Sequence, residues 1–433
     1  MSPLAIGLIG IALLFLLLFA RIPVGFAMAI VGFAGFVQLV NLNAALSLLA
    51  RDVFSTFGAY GLTVIPLFIF MGQVSFHAGI SRRLYDTAYA FIGHRPGGLS
   101  MATIGACTAF GAICGSSPAT AATMATVALP EMKRYHYSME LAAGAVASGG
   151  SLGMLIPPSV VFIVYGIMTE QSIGKLFMAG ILPGLLIAFL FCLAILYTCK
   201  RHPEFGPPGP KSSWSQRRQS LKGTGETLLL FALVMVGLFA GFFTPTEAGA
   251  VGAMCSLGIA LSGGNLSPTK LRTALLETTR TTCMIMIIVT GAVIFGHFLA
   301  VTRIPFDLAG WVASLPLPRF LIITVIILVY LLGGCFIDAL ALILLTVPIF
   351  YPVILALNYD PIWFGVVIVL VTQMGVISPP VGINVYVVKG TAPEIPLGTI
   401  FRGVLPFLGA LILGTVILLA IPQFSLFLPG LMQ

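Results

Sequence analysis

The chain is 433 residues long, 59% hydrophobic and only 8% charged, with a mean hydropathy of +1.10. Soluble domains carry roughly a quarter charged residues, so this composition excludes a soluble globular protein and reads as an integral membrane protein. Its net charge of +8 does not argue for nucleic acid, because the basic residues cluster between apolar segments, where they act as topology signals.

The first apolar run, 4–20, has no basic residue before it and no Ala-x-Ala site after it, so it reads as a retained span and not a cleaved signal peptide. Further stretches able to cross a hydrocarbon layer of about 30 Å lie at 22–40, 57–76, 139–168, 176–198, 226–244, 246–262, 282–302, 362–388 and 403–422, which predicts ten crossings. Two others, 97–130 and 320–353, are too long for one crossing and are interrupted by small or polar residues. Each reads as a re-entrant hairpin. With that topology, all but Arg51, Lys175, Arg303 and Arg319 of the 21 basic residues fall on one side, which predicts a cytoplasmic face there and an outside N-terminus. The segment 200–225, containing RHPEFGPPGPKSSWSQRRQS, reads as a cytoplasmic linker. GPPGPKSS has Pro210 where a phosphate-binding loop requires glycine, and no strand precedes it, so no nucleotide site is expected. The seven cysteines occur singly, without zinc-type spacing, and read as small buried hydrophobes.

Landmarks recur at an offset of about 220 residues, the mark of an internal duplication: Pro23 with Pro245, Gly72 with Gly291, Pro130 with Pro348, Pro157 with Pro379, and GILP at 180–183 with GVLP at 403–406. The predicted units are 1–199, with hairpin 97–130 and broken helix 139–168, and 226–433, with hairpin 320–353 and broken helix 362–388. An odd number of crossings in each half inverts the second, the plan of secondary transporters whose sites lie where broken helices meet at the midplane.

Non-helical backbone within a bilayer survives only where it lines a cavity or is buried in protein. In the first hairpin, Gly115, Ser116 and Ser117 form the tip, and Pro118 suits a helix start with Ser117 as N-cap. The second tip is Gly333 to Asp338, and the offset of its nearest landmark sets Asp338 opposite Thr120. The other breaks fall in MLIPPSVVF, 154–162, and VISPPVGIN, 376–384. Each proline removes a donor and frees carbonyls. A dehydrated cation such as sodium needs a cage of oxygens, and a helix that restarts after a break aims its positive end at an anion. A packing kink is the plain alternative for any break taken singly; four paired breaks, each with oxygen-bearing side chains nearby, favour a binding site. Asp338, the only acidic residue between Asp307 and Asp360, is a functional candidate by its depth, with a structural hydrogen bond as the alternative. Thr244-Pro245-Thr246-Glu247 reads as a capping box, and His77 and His297 read as hydrogen-bonded structural residues. No paired carboxylates, triad or metal cluster suggests an enzyme. A stand-alone dicarboxylate symporter or antiporter stays open, as does an anion channel lined by the same broken helices.

Taken together, IPLFIFMG (65–72), GSSPATAAT (115–123), LPEMKRYHYS (129–138), SLGMLIPPS (151–159), FTPTEAGAVGA (243–253) and ISPPVGINVYV (377–387) resemble the large membrane subunit of the TRAP, or tripartite ATP-independent periplasmic, transporters. The resemblance implies an all-α polytopic fold of inverted repeats, divided into a scaffold and an elevator-type transport domain. It implies sodium-coupled uptake of an organic anion, such as sialic acid, a C4-dicarboxylate or a sugar acid, across a bacterial inner membrane. The implied partners are a small four-helix membrane subunit, expected as a separate polypeptide, and a soluble periplasmic binding protein. Carried onto this chain, sodium would be held by Ser116, Ser117, Gly153, Pro157, Gly334, Asp338, Ser378 and Pro380, and the substrate by Ser117, Thr120, Ser159 and Asn384.

Overall fold

The computed structural model describes residues 2–264 and 266–432, and every regular element among them is helical. The first part of the chain forms α1 (Pro3–Phe19), α2 (Val24–Leu39), α3 (Leu42–Gly58), α4 (Val64–His77), α5 (Ile80–Ile92), α6 (Gly98–Cys114), α7 (Ser117–Arg134), α8 (Met139–Ser151), α9 (Val160–Thr169) and α10 (Ile173–Arg201). The remainder forms α11 (Trp214–Phe239), α12 (Pro245–Ser262), α13 (Pro268–Thr302), α14 (Ile304–Ser314), α15 (Arg319–Gly334), α16 (Ala339–Ala356), α17 (Pro361–Ile377), α18 (Ile383–Thr391), α19 (Leu397–Ala420) and α20 (Gln423–Leu426). By length and composition, Tyr60–His77, α10, α13, α16 and α19 are each sufficient to cross a membrane. Apolar side chains such as Phe189, Val325, Leu332 and Leu413 stand exposed, as expected of helices whose outer faces meet lipid.

Local chemistry sets the boundaries. Thr244 and Glu247 form the expected capping box at the start of α12, with Glu247 Oε2 accepting from the Thr244 N–H at 2.8 Å. Ser213 and Gln216 form another at the start of α11, so irregular chain between the two long helices is confined to 202–213. Gly115, at φ +63°, ends α6 in a left-handed conformation that a side chain would resist. The first broken helix tightens into a 3-10 turn at Leu152–Met154 ahead of Pro157-Pro158, and the second ends at Ile377 just before Pro379-Pro380; both pairs are joined by cis peptide bonds, and proline supplies no donor to continue the preceding turn. The helices α3, α5 and α14, which connect apolar stretches, carry no span-length signal and were not anticipated from the sequence.

Two corrections concern register. The helices that follow the hairpin tips, α7 and α16, are both 18 residues long, and they begin directly after Ser116 and Asp338. Counted from the start of each helix, Asp338 corresponds in position to Ser116, not Thr120, and Pro352 rather than Pro348 corresponds to Pro130. Two prolines one helical turn apart within α16 made the pairing ambiguous in sequence. The N-cap of α7 is likewise Ser116, in extended conformation, and not Ser117; the Ser117 hydroxyl is engaged elsewhere.

The packing is reciprocal. Hairpin α6–α7 lies on α8, and hairpin α15–α16 lies on α17. The short helices after the breaks are exchanged: α9 packs on α16, and α18 packs on α7. Outside this body, α2 runs along α13 and α4 along α12. Gly25 and Gly32 allow the α2–α13 approach, since a Cβ at either would fall within 3.0 Å of the α13 backbone.

Candidate ligand and ion site

A cavity of about 160 Å³ lies where the two hairpin tips meet. Cys114 to Ala119 and the pair Asp338 and Leu340 line it from the tips, with Met154, Val160 and Val161 from the first broken helix. Its opposite wall is Ile69 and Gln73 of α4 with Thr281, Met284 and Ile285 of α13. Asp338 is the only charged residue of the described lining.

Three helix starts converge there, and they differ in one respect. Asp338 caps α16 by accepting the Leu340 N–H at 3.1 Å. Ser159 caps α9, accepting from the Phe162 N–H at 3.4 Å while its hydroxyl donates to the Met154 carbonyl. The start of α7 has no side-chain cap, so its first-turn N–H groups and the positive end of its dipole are left for a ligand. The Ser116 hydroxyl, half-buried in the lining, likewise has no hydrogen bond to a described residue.

The other expected site residues fall into two groups. Ser117 is fully buried; its hydroxyl donates to Asn384 Oδ1 at 3.0 Å and accepts from Asn384 Nδ2 at 2.8 Å. The same amide also donates to the Ala147 carbonyl at 2.9 Å. One side chain of α18 thus fixes the first tip to α8. Thr120 is also buried, and its hydroxyl donates to the Ser116 carbonyl at 2.8 Å. Gly153 sits beside that bond: a Cβ there would lie 2.8 Å from Thr120 Oγ1 and 2.9 Å from the Ser116 oxygen. The result is a small oxygen-faced cradle that any side chain would fill. In the second half Gly375 is pressed on Gly334, where a Cβ on Gly375 would lie 2.6 Å from the Gly334 oxygen. Pro157 and Ser378 are buried at the breaks, whereas Pro380 is exposed. Gly153, Gly334, Ser159, Thr120, Asn384, Pro157, Ser378 and Pro380 do not line the cavity.

Among the described residues no group of three or more His, Cys, Asp or Glu side chains is placed to hold a metal ion. A donor set of carbonyls, hydroxyls and one carboxylate suits a hard, weakly held cation and not a transition metal. His297 Nδ1 lies 2.7 Å from Asp52 and His77 Nε2 lies 3.1 Å from Glu277, so both histidines are paired, as expected of structural residues.

Sequence reasoning missed Gln73 and Thr281. Neither side chain bonds to a described residue, and both line the cavity from unbroken helices. Gln73 directly follows the landmark Gly72, which a search for polar residues beside it would have found. Thr281 has no comparable signal.

The profile described as "Tripartite ATP-independent periplasmic transporter, DctM component" matches residues 11–424. The C4-dicarboxylate TRAP transporter large permease protein DctM of Pseudomonas aeruginosa is 39% identical over 88% of this chain and 89% of its own. The sialic acid TRAP transporter large permease protein SiaM of Vibrio cholerae is 34% identical over 96% of each chain. In fold, the chain is similar to the YdaH transporter of Alcanivorax borkumensis, with a TM-score of 0.65, 17% identity, and coverage of 90% of this chain and 91% of that one.

Proposed function

Because the chain belongs to the TRAP transporter family as a large membrane permease subunit, we infer that it couples sodium entry to import of a small organic carboxylate through the cavity between its hairpin tips. The observation that carries this reading is the pairing of opposite preferences in one space: the uncapped start of α7 beside the single carboxylate of Asp338. A carboxylate ligand meets the N–H groups of α7 and the Ser116 hydroxyl. Sodium is held by Asp338 and by main-chain oxygens such as those at Ser116 and Gly334. The oxygen-faced cradle beside Gly153 fits such an ion. In this reading the side chains of Ser117, Ser159, Thr120 and Asn384 position the site through bonds already made, and do not touch the ligand.

A cavity of about 160 Å³ is smaller than the roughly 300–1,000 Å³ that houses a drug-sized ligand, which favours a compact acid such as a C4-dicarboxylate over a sugar acid. One sodium charge falling through 100 mV supplies about 2.3 kcal/mol, so several ions per acid would sustain accumulation. Hairpins and broken helices form the moving body, and α2, α4, α12 and α13 the fixed one. The reciprocal exchange of α9 and α18 supports two inverted repeats. A small membrane subunit and a periplasmic binding protein complete the system, with the chain in the bacterial inner membrane.

The test is uptake of labelled succinate by proteoliposomes holding the chain with both partners. The reading expects accumulation under an inward sodium gradient and none when potassium replaces sodium. Equal uptake in both, or uptake at rates of a conducting pore, would overturn it.

A further inference from the structure

We propose that the groove between α10 and α19 binds one anionic phospholipid, its headgroup phosphate at Arg402 and its acyl chain along the apolar walls. The groove, of about 660 Å³, is lined by Leu190, Leu193 and Tyr197 on one side and by Pro406, Gly409 and Leu413 on the other, with Arg402 at one end. The two helices run antiparallel here, since Thr198 near the end of α10 and Arg402 near the start of α19 share that end. A second guanidinium is held at the same place: Arg201 stacks over the Tyr197 ring at 4.8 Å. The only ion pair of Arg402 among the described residues is a 3.9 Å approach to Glu140, and its side chain is 68% exposed. Two arginines against one carboxylate leave positive charge at the mouth of an otherwise apolar groove.

That charge distribution selects the occupant. Leu193 and Leu413 lie 43% and 50% exposed, which hydrocarbon satisfies, but hydrocarbon alone leaves the guanidinium charge unmatched. A phosphodiester matches it by charge-assisted hydrogen bonds. The groove also adjoins the moving body. Gly403, next to Arg402, is so close to α8 that a Cβ there would overlap the Glu140 carbonyl, and α8 leads directly to the first break. A bound lipid would thus brace the helix that carries the site.

The experiment uses the full chain in nanodiscs of phosphatidylglycerol and phosphatidylethanolamine, with lipids retained after detergent extraction counted by native mass spectrometry. Wild type is expected to retain one phosphatidylglycerol in preference to phosphatidylethanolamine. Each basic residue near an anionic headgroup contributes about 1 kcal/mol, or roughly fivefold, so the Arg201→Gln, Arg402→Gln double variant should lose that preference by about twenty-five-fold. Gly409→Phe is the independent arm: a Cβ at Gly409 meets nothing within 4 Å, so the ring enters the groove without disturbing the fold. It should abolish retention with both arginines intact. Equal retention of the two lipids by wild type, or unchanged retention in Gly409→Phe, would overturn the proposal. So would a crosslink from Leu193→Cys to the small membrane subunit, since a protein helix would then fill the groove.

Discussion

The two hairpin tips do different work with different chemistry. The first turns in two residues, Gly115 and Ser116, and is bound from outside itself: Asn384 reaches from α18 to hold Ser117 and the Ala147 carbonyl together. The second takes four residues, Cys335 to Asp338, and is closed by Asp338 capping its own helix. One arm of the second hairpin, α15, exposes Phe320, Val325 and Leu332 along its outer face, whereas α6 is buried along most of its length. Under the proposed function, the difference separates two requirements of a coupled site. A tip braced across the halves keeps backbone donors aimed at a fixed point, and a self-capped tip carries its charge without being tied to that brace.

Four substitutions test this contrast, beginning with the largest effect. Asn384→Leu removes three hydrogen bonds at once and strands the buried Ser117 hydroxyl. At about 1–3 kcal/mol for the orphaned group and about 0.5–1.5 kcal/mol for the lost bond to Ala147, it should lower thermal stability sharply and abolish uptake. A melting temperature equal to wild type would show that the brace does not matter. Asp338→Asn keeps a side chain that caps a helix as well as aspartate does and removes only the charge. Losing a charged contact of about 1.5–3 kcal/mol should raise the sodium concentration for half-maximal uptake by roughly tenfold or more, with melting unchanged. An unaltered sodium dependence would make Asp338 a structural cap alone.

Gly375→Ala probes the close approach of α17 to α15, where a Cβ would overlap the Gly334 backbone. Overpacking of this kind costs about 1–3 kcal/mol, to be read as a drop in melting temperature, and a neutral result would show that the second tip yields readily. Gln73→Leu removes one amide from the wall facing both tips. A neutral hydrogen bond is worth about 0.5–1.5 kcal/mol, so KM for the acid should rise between roughly twofold and tenfold with the sodium dependence unchanged. A shift in sodium dependence instead would place Gln73 beside the ion.

Features written in local backbone chemistry were legible in the sequence. The Pro-Pro breaks, the glycine that ends α6 and the Thr244–Glu247 box each follow from what a residue does to its own turn. The register of Asp338 was not legible, because loop length at the tips and two prolines in α16 together hid a shift of one turn. Neither was the role of Asn384, whose partners lie 267 and 237 residues away in sequence. Gln73 and Thr281 escaped notice for a related reason: they lie in uninterrupted helices and acquire meaning only from the tips opposite them. Ser159, chosen from the sequence as a ligand, lies in the structure as a helix cap, a role that its place before an apolar run equally foretold.

The most direct measurement is the reactivity of Ser116→Cys, in a chain otherwise free of cysteine, toward a small water-soluble thiol reagent. Ser116 lines the cavity and is half-buried, so the thiol should be modified in sodium-free buffer and protected when sodium and the transported acid are added together. Labelling that proceeds at the same rate with and without both solutes would contradict the placement of ion and acid between the tips.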